Sequence, residues 1–336
     1  MLIYILCLLF LFLLRNTKNK ACYILLVLVL IFLSSFRGLS VGTDTVNYEE
    51  IFYSCTDLLS IAIRGYEILL YFIYYIIHSF DGTYQTALFI QTILFLLPLS
   101  YVFYKKFSKP IIPLFFLFAL NFYLSEFNIS RQMIAVSFIV LSAYFYENKK
   151  YVFTAIPFVL ACLLHNSAII ALLIFPLSFI TLNKSYILLA VIASLILPLA
   201  IDFSSLFSTV VGSVESISYY ESYIDGGIGG RFSLFNIANT LLYIYIIYKN
   251  PVEISKLPMK VCVLGLILSN IFVFAPSRFT RLMLYFTVFQ VFAFTDLVYK
   301  KNGQDRVLYL YSILYFIYYV CILNYNEVVP YMLAKN

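Results

Sequence analysis

Long apolar runs separated by short polar connections dominate the hydrophobic pattern of this chain. Most runs approach the ~20 apolar residues that a helix needs to cross a bilayer. They lie at about 1–14, 21–36, 65–80, 84–104, 110–125, 131–147, 151–164, 167–182, 185–211, 232–248, 259–275, 282–299 and 307–323. This pattern predicts an all-α fold, a polytopic membrane helical bundle of about 12–14 spans. No polar block is long enough to fold separately, so residues 1–336 are predicted to form a single transmembrane domain.

The composition agrees with this pattern and excludes a soluble globular domain. Hydrophobic residues make up 63% of the chain and charged residues 11%, whereas soluble domains average about 45–50% apolar and 25% charged residues. The six cysteines show no CxxC spacing. They are therefore interpreted as core thiols with no disulfide framework and no metal role.

Lysine marks one face of the predicted membrane domain. Thirteen lysines but only two arginines lie in the basic connections, which are Arg15/Lys18/Lys20, Lys105/Lys106/Lys109, Lys149/Lys150, Lys184, Lys249/Lys256/Lys260 and Lys300/Lys301/Arg306. The positive-inside rule assigns these connections to the cytoplasm. The loops 37–64 and 212–231 are then external. Because two apolar runs separate residue 37 from Lys105, we interpret 47–63 as an amphipathic external segment followed by an incomplete or tilted span.

Arginine accumulates on the opposite, external face, where the topological rule disfavours positive charge. These arginines are Arg37, Arg64, Arg131, Arg231, Arg278 and Arg281. One such residue is adequately explained by a neighbouring acid or by snorkelling to headgroups. For five or six, a ligand that carries phosphate is the better explanation, because the guanidinium binds phosphate oxygens bidentately.

The segment from Glu126 to Ile170 predicts a helical hairpin with two polar ends. Arg131 opens the first helix, residues 148–150 form the turn, and His165 closes the second helix. The two helices, of about 22 and 20 Å at 1.5 Å per residue, are antiparallel and similar in length. Arg131 and His165 are therefore expected at one membrane face, where such polar groups are costly to place and usually functional.

Two further segments carry candidate chemistry. In FRGLSVGTDTVNYEEIF, Asp44 is either a hydroxyl-activating base near Arg37 or, with Thr45, the N-cap of an amphipathic helix. In SRFTRLMLY, Arg278 and Arg281 share one face of a helix, with Tyr285 one turn further. This pair either clamps a diphosphate or anchors the helix at the external surface.

Several common sites are not expected. IDGGIGGRF (224–232) lacks the GK[ST] element of a nucleotide-binding loop, and is interpreted as a flexible external loop or lid that ends at Arg231. The chain has no HExxH or DxD motif, so no metal and no other cofactor is predicted. No nucleic acid partner is expected.

Three motifs resemble those of the EpsG/Wzy-type bacterial polysaccharide polymerases. FRGLSVGTDTVNYEEIF resembles their R…VG·D···Y loop, SRQMIA…ACLLHNSAII their RQ··A…A··FH·SA hairpin, and RFTRLMLYF their late R···Y motif. The resemblance extends in order over most of the chain. It implies a helical, metal-independent fold similar to the GT-C-like membrane glycosyltransferases.

The resemblance also implies a reaction and its participants. Such enzymes move a growing glycan from undecaprenyl pyrophosphate onto a new lipid-linked repeat, at the outer face of the bacterial inner membrane. A flippase and a chain-length regulator would be the partners, in O-antigen, capsule or exopolysaccharide synthesis. Arg131, Arg278 and Arg281 are the predicted diphosphate clamp, with Arg37 and Arg231 as weaker members. Gln132, Tyr48 and Tyr285 are further substrate-binding candidates.

Three residues are candidates for the catalytic base. His165 either accepts the acceptor hydroxyl's proton or binds phosphate, Asp44 is the alternative base, and Glu126 is the third candidate. The sequence does not rank them.

Other functions are compatible with parts of this pattern. An O-antigen-ligase-like transferase would use the same donor, but such enzymes usually carry one large external domain between late spans. A flippase or transporter of lipid-linked oligosaccharides would predict inverted repeats and a charged midplane cavity. A membrane acyltransferase would leave the external arginines unexplained.

Overall fold

The computed structural model of the chain describes residues 1–57, 67–181, 183–201, 233–250, 255–275, 280–300 and 305–334. These residues form helices and one isolated antiparallel β-bridge, between Arg37 and Leu333. The predicted all-α class is therefore confirmed for the described part of the chain.

The α-helices of the described residues are numbered in chain order. They are α1 Leu2–Leu14, α2 Lys20–Ser35, α3 Thr45–Ser54, α4 Ile68–Ser79, α5 Tyr84–Lys106, α6 Ile111–Ala119, α7 Phe122–Ser125, α8 Ser130–Glu147, α9 Tyr151–Leu164, α10 Lys184–Ile196, α11 Leu234–Lys249, α12 Leu257–Ile271, α13 Leu284–Thr287, α14 Gln290–Lys300 and α15 Arg306–Phe316. Short 3₁₀ segments cover Asn166–Ile174, Pro176–Ser178, Leu197–Leu199 and Arg281–Met283, and a π-helix extends α15 over Ile317–Ile322.

Two of the described helical segments are long and apolar enough to cross a membrane, namely Tyr84–Lys106 and Arg281–Lys300. At 1.5 Å per residue, the 23 residues of α5 span about 34 Å, slightly more than the ~30 Å hydrocarbon core. The remaining apolar helices are shorter, at 10–17 residues. The predicted number of spans stays a prediction.

The chain divides into two compact units. Met1–Ile169 and Phe294–Asn336 form unit 1, and Ile170–Ala293 forms unit 2. This division does not test the single domain predicted for residues 1–336. The predicted loop 212–231 lies outside the described residues.

Unit 1 is built around α6, whose sequence IIPLFFLFA is apolar on every side. All nine of its residues are buried, as expected of a helix without a polar face. It packs against α1 and α15. The apolar run 110–125 is not one helix, because Asn121 adopts a left-handed conformation (φ 66°) between α6 and α7.

The predicted hairpin of α8 and α9 is confirmed. The turn closes where the Lys150 backbone N–H donates to the Phe145 carbonyl at 2.9 Å. Ser142 Oγ in α8 donates to the Thr154 carbonyl in α9 at 2.7 Å. The other face of α8 packs against α5, which in turn packs against α2. These contacts set α8 between its hairpin partner and the long helix α5.

The chain after α2 is held by the C-terminal tail. Gly38 N–H donates to the Met332 carbonyl at 2.8 Å, and Ala334 N–H donates to the Phe36 carbonyl at 2.9 Å. Gly42 adopts φ 98°, where a Cβ would lie 2.7 Å from the Phe127 carbonyl oxygen. Only glycine tolerates both that backbone conformation and that close approach, so this turn fixes the path from Arg37 to α3.

Unit 2 is joined by buried polar contacts. Asn270 Nδ2 in α12 donates to Ser194 Oγ in α10 at 3.1 Å and to Thr240 Oγ1 in α11 at 3.0 Å. The Lys260 ammonium, 6% exposed, donates to the Leu177 and Ile180 carbonyls at 3.1 and 2.7 Å. Its charge therefore satisfies backbone acceptors at the end of a 3₁₀ segment.

Candidate active site

Arg131 and His165 converge on one carboxylate, that of Glu67. Arg131 Nη1 forms an ion pair with Glu67 Oε2, and His165 Nδ1 forms a hydrogen bond with Glu67 Oε1. Arg131 lies in the first turn of α8, and His165 directly follows α9. The hairpin geometry expected from helix lengths therefore brings both side chains to the same end of unit 1.

Glu67 occupies an unusual backbone position. It immediately precedes α4 with φ 55° in the left-handed region, which is uncommon for a residue with a side chain. Its own carbonyl accepts the Leu70 backbone N–H at 3.1 Å, which closes the first turn of α4. The side chain is 5% exposed. Backbone strain at a residue that joins two functional candidates is typical of a site held in place by its surroundings.

Opposing effects act on the Glu67 carboxyl. Burial raises the pKa of this carboxyl, but the hydrogen bond from His165 and the positive charge of Arg131 outweigh burial and hold its pKa below the usual value. The carboxylate is therefore ionised at neutral pH. Because the pKa is lower in the folded protein than in the unfolded chain, the ionised carboxylate stabilises the fold. This contribution is present above the ordinary pKa of a glutamate, about 4.3, and is lost as the pH falls below it.

Aromatic side chains fix the Arg131 guanidinium. Its central carbon lies 5.3 Å from the centroid of the Tyr48 ring, and its Nη1 lies 3.4 Å from Tyr71 Oη. Tyr48 belongs to α3 and is buried. The Tyr48 hydroxyl is also a hydrogen-bond partner of this guanidinium, and Arg131 Nε is buried. These contacts hold the guanidinium in one position, while a quarter of the Arg131 side chain stays exposed.

A second buried ion pair joins the segment after α2 to the segment between α7 and α8. Arg37 Nη1 is 3.5 Å from Glu126 Oε2, and both side chains are fully buried. Ser34 connects them, because its Oγ accepts from Arg37 Nη1 at 2.9 Å and donates to Glu126 Oε2 at 2.7 Å. The Arg37 guanidinium also lies 4.5 Å from the Phe127 ring centroid. The two charges therefore neutralise each other inside the unit.

Ser130 links the two ion pairs through neighbouring side chains. Its Oγ lies 3.3 Å from Glu126 Oε1 and 2.7 Å from Gln91 Oε1 in α5. Gln91 Nε2 in turn hydrogen-bonds Tyr74 Oη in α4. Since Arg131 follows Ser130 directly, this network fixes the first turn of α8, and with it the position of Arg131 relative to α4 and α5.

The family model described as EpsG family matches residues 20–333. The chain belongs to the EpsG family. Membership connects it with polysaccharide biosynthesis and with a polymerase-type role, and together with the apolar helices it gives the protein a membrane character. A search of curated proteins and a search of solved structures each found no match.

The remaining arginine and tyrosine candidates of this EpsG-family chain belong to unit 2 or fall outside the described residues. Arg278 and Arg231 fall outside the described residues. Arg281 begins a 3₁₀ turn in unit 2 and is half-buried, and Tyr285 in α13 is fully buried. The clamp that combines them with Arg131 stays a prediction.

The alternative base candidates differ in their surroundings. Asp44 occupies the N-cap position of α3 but its side chain makes no capping hydrogen bond there. Glu126 is fully buried in its pair with Arg37, and Gln132 is also buried. His165, with 19% of its side chain exposed, is more accessible than either Glu126 or Gln132. Asp44 is half-buried, as His165 is, so the roles of His165, Asp44 and Glu126 stay predictions.

Sequence reasoning did not single out Glu67. The sequence feature that could have indicated it is a single acidic residue in RGYEILL, at the start of the apolar segment that forms α4. An acid at that boundary needs a cationic partner when it is buried. With Arg131 and His165 already placed there, Glu67 was an available counter-charge.

Proposed function

We propose that this protein is a polymerase of lipid-linked oligosaccharide repeats. In the proposed reaction, the growing glycan leaves undecaprenyl pyrophosphate and joins a new undecaprenyl-pyrophosphate-linked repeat at the outer face of the inner membrane. The observation that carries the proposal is the convergence of Arg131 and His165 on Glu67. Membership of the EpsG family supports it independently.

The reaction needs one proton acceptor and stabilisation of one leaving group. A hydroxyl oxygen of the acceptor sugar forms a bond to the anomeric carbon of the donor glycan. The bond from that carbon to the pyrophosphate oxygen breaks, so that undecaprenyl pyrophosphate leaves with both bonding electrons. The hydroxyl proton passes to a base on the protein.

His165 is the proposed base, and Glu67 is its positioning residue. The contact between Nδ1 and Glu67 orients the ring, so that Nε2 is the nitrogen that accepts the acceptor proton. The carboxylate then stabilises the imidazolium that forms. General base catalysis of this kind contributes about 10²–10⁴-fold to a rate.

Arg131 is the proposed pyrophosphate-binding residue. One of its nitrogens pairs with Glu67, and 25% of its side chain is exposed, so the guanidinium can be reached by a ligand. Fixed cationic donors stabilise the negative charge that develops on a leaving group. As the sequence predicts, Arg278, Arg281 and Arg231 are proposed as further pyrophosphate-binding residues, and Gln132, Tyr48 and Tyr285 as further substrate-binding residues. The burial of Arg37 against Glu126 favours a structural role for that arginine instead.

The remaining features follow the same proposal. The protein would be a multi-pass, metal-independent transferase of the inner membrane with a GT-C-like fold, served by a flippase and a chain-length regulator. O-antigen, capsular and exopolysaccharide pathways would all use this reaction.

A reconstitution experiment tests the function. Purified protein supplied only with its organism's lipid-linked repeat is expected to produce a ladder of lipid-linked glycans longer than one repeat. A deletion strain is expected to accumulate single repeats. Glycan transfer to a different lipid or protein acceptor would instead indicate a ligase. Movement of the repeat across the bilayer without any elongation would indicate a flippase.

The role of Glu67 gives a second, sharper prediction. Glu67→Gln keeps the side-chain shape but removes the charge that stabilises the imidazolium. We expect the rate of elongation to fall at least about tenfold, because the charge supplies part of the roughly 10²–10⁴-fold contribution of the general base. Glu67→Asp, which retains the charge, is expected to retain part of the rate.

The measurement is elongation by purified variants of equal thermal stability. Glu50→Gln is the matched control, because Glu50 is an exposed acid on α3. An unchanged rate in Glu67→Gln, with the protein fully folded, would contradict the proposed role of the carboxylate.

A further inference from the structure

A cleft of about 520 Å³ in unit 1 is lined by residues at the end of α1 and the start of α15. Glu147, at the end of α8 opposite to Arg131, receives a hydrogen bond from Lys106 Nζ at 2.7 Å. Lys109, three residues after Lys106 in the connection that follows α5, donates from Nζ to Asn16 Oδ1 at 3.3 Å. Asn16 lines the cleft, which therefore belongs to the lysine-rich end that the positive-inside rule assigns to the cytoplasm.

Two arginines face this cleft, one at the end of α1 and one at the start of α15. Arg15 lies in the cleft wall with its guanidinium carbon 3.7 Å from the Phe12 ring centroid and 5.0 Å from that of Tyr309. Arg306 lies across the cleft and is exposed. Asp305, which precedes Arg306 in the chain, is buried and caps α15, since its Oδ1 accepts the Val307 backbone N–H at 3.2 Å.

Two polar groups of the cleft, the Arg15 guanidinium and the Tyr309 hydroxyl, lie against each other, and the Tyr309 oxygen accepts from Arg15. Tyr309 is 5% exposed, so solvent does not compensate its hydroxyl. The O–H of Tyr309 donates to no acceptor among the described residues. This donor, beside two guanidinium groups, matches the oxygen atoms of a phosphate.

Apolar surface continues from the cleft along both helices. On α15 and its extension, Leu310, Leu314 and Ile317 are 58%, 49% and 41% exposed. Their spacing of four and three residues places them on one helical face. On α1, Leu13, Phe10 and Leu6 are 62%, 55% and 42% exposed and recur at the same spacing. A soluble phosphate ion would make no contact with this apolar surface, whereas the acyl chains of a lipid would pack against it.

We propose that this cleft binds one anionic phospholipid, with its phosphate against Arg15, Arg306 and Tyr309 and its acyl chains along the apolar stripes of α1 and α15. The site is separate from the Glu67 site and does not depend on the proposed polymerase reaction. The net charge of the lipid determines which headgroup binds more tightly. The two guanidinium groups attract a phospholipid with net negative charge, whereas they repel the cationic group that a zwitterionic lipid also carries.

The test is native mass spectrometry of the purified full chain, titrated with phosphatidylglycerol or with phosphatidylcholine of identical acyl chains. We expect the wild-type protein to retain phosphatidylglycerol about tenfold more tightly, the effect of one charge-assisted contact. Arg306→Glu is expected to remove this preference, and because Arg306 is exposed the variant is expected to fold. The double variant Arg15→Gln with Arg306→Gln is expected to remove it as well.

The matched control is the double variant Lys18→Gln with Lys150→Gln. Both lysines are exposed and neither lines the cleft, and the two substitutions remove as much positive charge as Arg15→Gln with Arg306→Gln. This control is expected to keep the preference for phosphatidylglycerol. An equal loss in the control would show general attraction to the basic end and would overturn the site. Equal binding of both lipids would also overturn it, and so would displacement of the lipid by inorganic phosphate, which would indicate a site for a soluble anion.

Discussion

Arg131→Ala is expected to stop chain elongation while the protein remains inserted and folded. The variant should leave only single-repeat product, because it removes the cation proposed to stabilise the departing pyrophosphate. Loss of one pre-organised electrostatic contact of this kind lowers kcat by about 10²–10³-fold. Arg131→Lys retains a charge but lacks the planar fork, so we expect it to recover only part of the rate.

The measurement is the length distribution of glycans made by purified variants and by complemented deletion strains. Lys150→Ala is the matched control, because Lys150 is an exposed cation at the opposite end of the same hairpin. It should give wild-type ladders. Normal polymer from a well-expressed Arg131→Ala protein would rule out the site assignment.

Removing one member of the Arg37–Glu126 pair is expected to destabilise the fold strongly. Glu126→Ala leaves the Arg37 charge buried with no counter-charge, and breaking a buried pair in this way costs about 3–5 kcal/mol. Arg37→Met is expected to cost a similar amount, because it leaves the Glu126 carboxylate unpaired. The double variant Arg37→Met with Glu126→Ala removes both charges, and part of the lost stability should return.

Thermal unfolding of the four proteins in one detergent measures this coupling. Glu50→Ala is the control, because Glu50 is an exposed acid close in sequence to Arg37, and its expected effect is within about 0.5 kcal/mol. If Glu126→Ala unfolds at the wild-type temperature, the pair is not structural. If the double variant is no better than the two single changes combined, the two charges are not coupled.

The sequence assigned Arg131 and Arg37 to one diphosphate clamp, but the structure shows that their surroundings differ. Arg131 shares a carboxylate with the partly exposed His165, whereas Arg37 is fully buried with Glu126. Both are arginines on the face predicted to be external. Burial depends on which helices surround a residue, and sequence position does not contain that information.

The hairpin was predictable because it depends only on local quantities. Helix rise, the polar turn at residues 148–150 and the apolar lengths on each side determine that Arg131 and His165 meet at one end. The prediction of membrane spans was least certain between residues 47 and 80, where the number of apolar runs did not fit the assignment of the loops to the two faces. There, α3 and the twelve-residue α4 are shorter than a membrane span, and the interpretation of an incomplete or tilted span stays a prediction.

The sequence by itself determined the helical class, the membrane character, the family motifs and the hairpin that carries Arg131 and His165. Each of these follows from hydrophobic periodicity or from residues close together along the chain. Tertiary structure alone decided that Glu67 joins the two side chains from 64 and 98 positions away. The same applies to Arg15 and Arg306, which meet in one cleft from opposite ends of the chain. Such contacts arise from helix packing, which selects among many partners of equal sequence plausibility according to which arrangement buries apolar surface and leaves no charge unpaired.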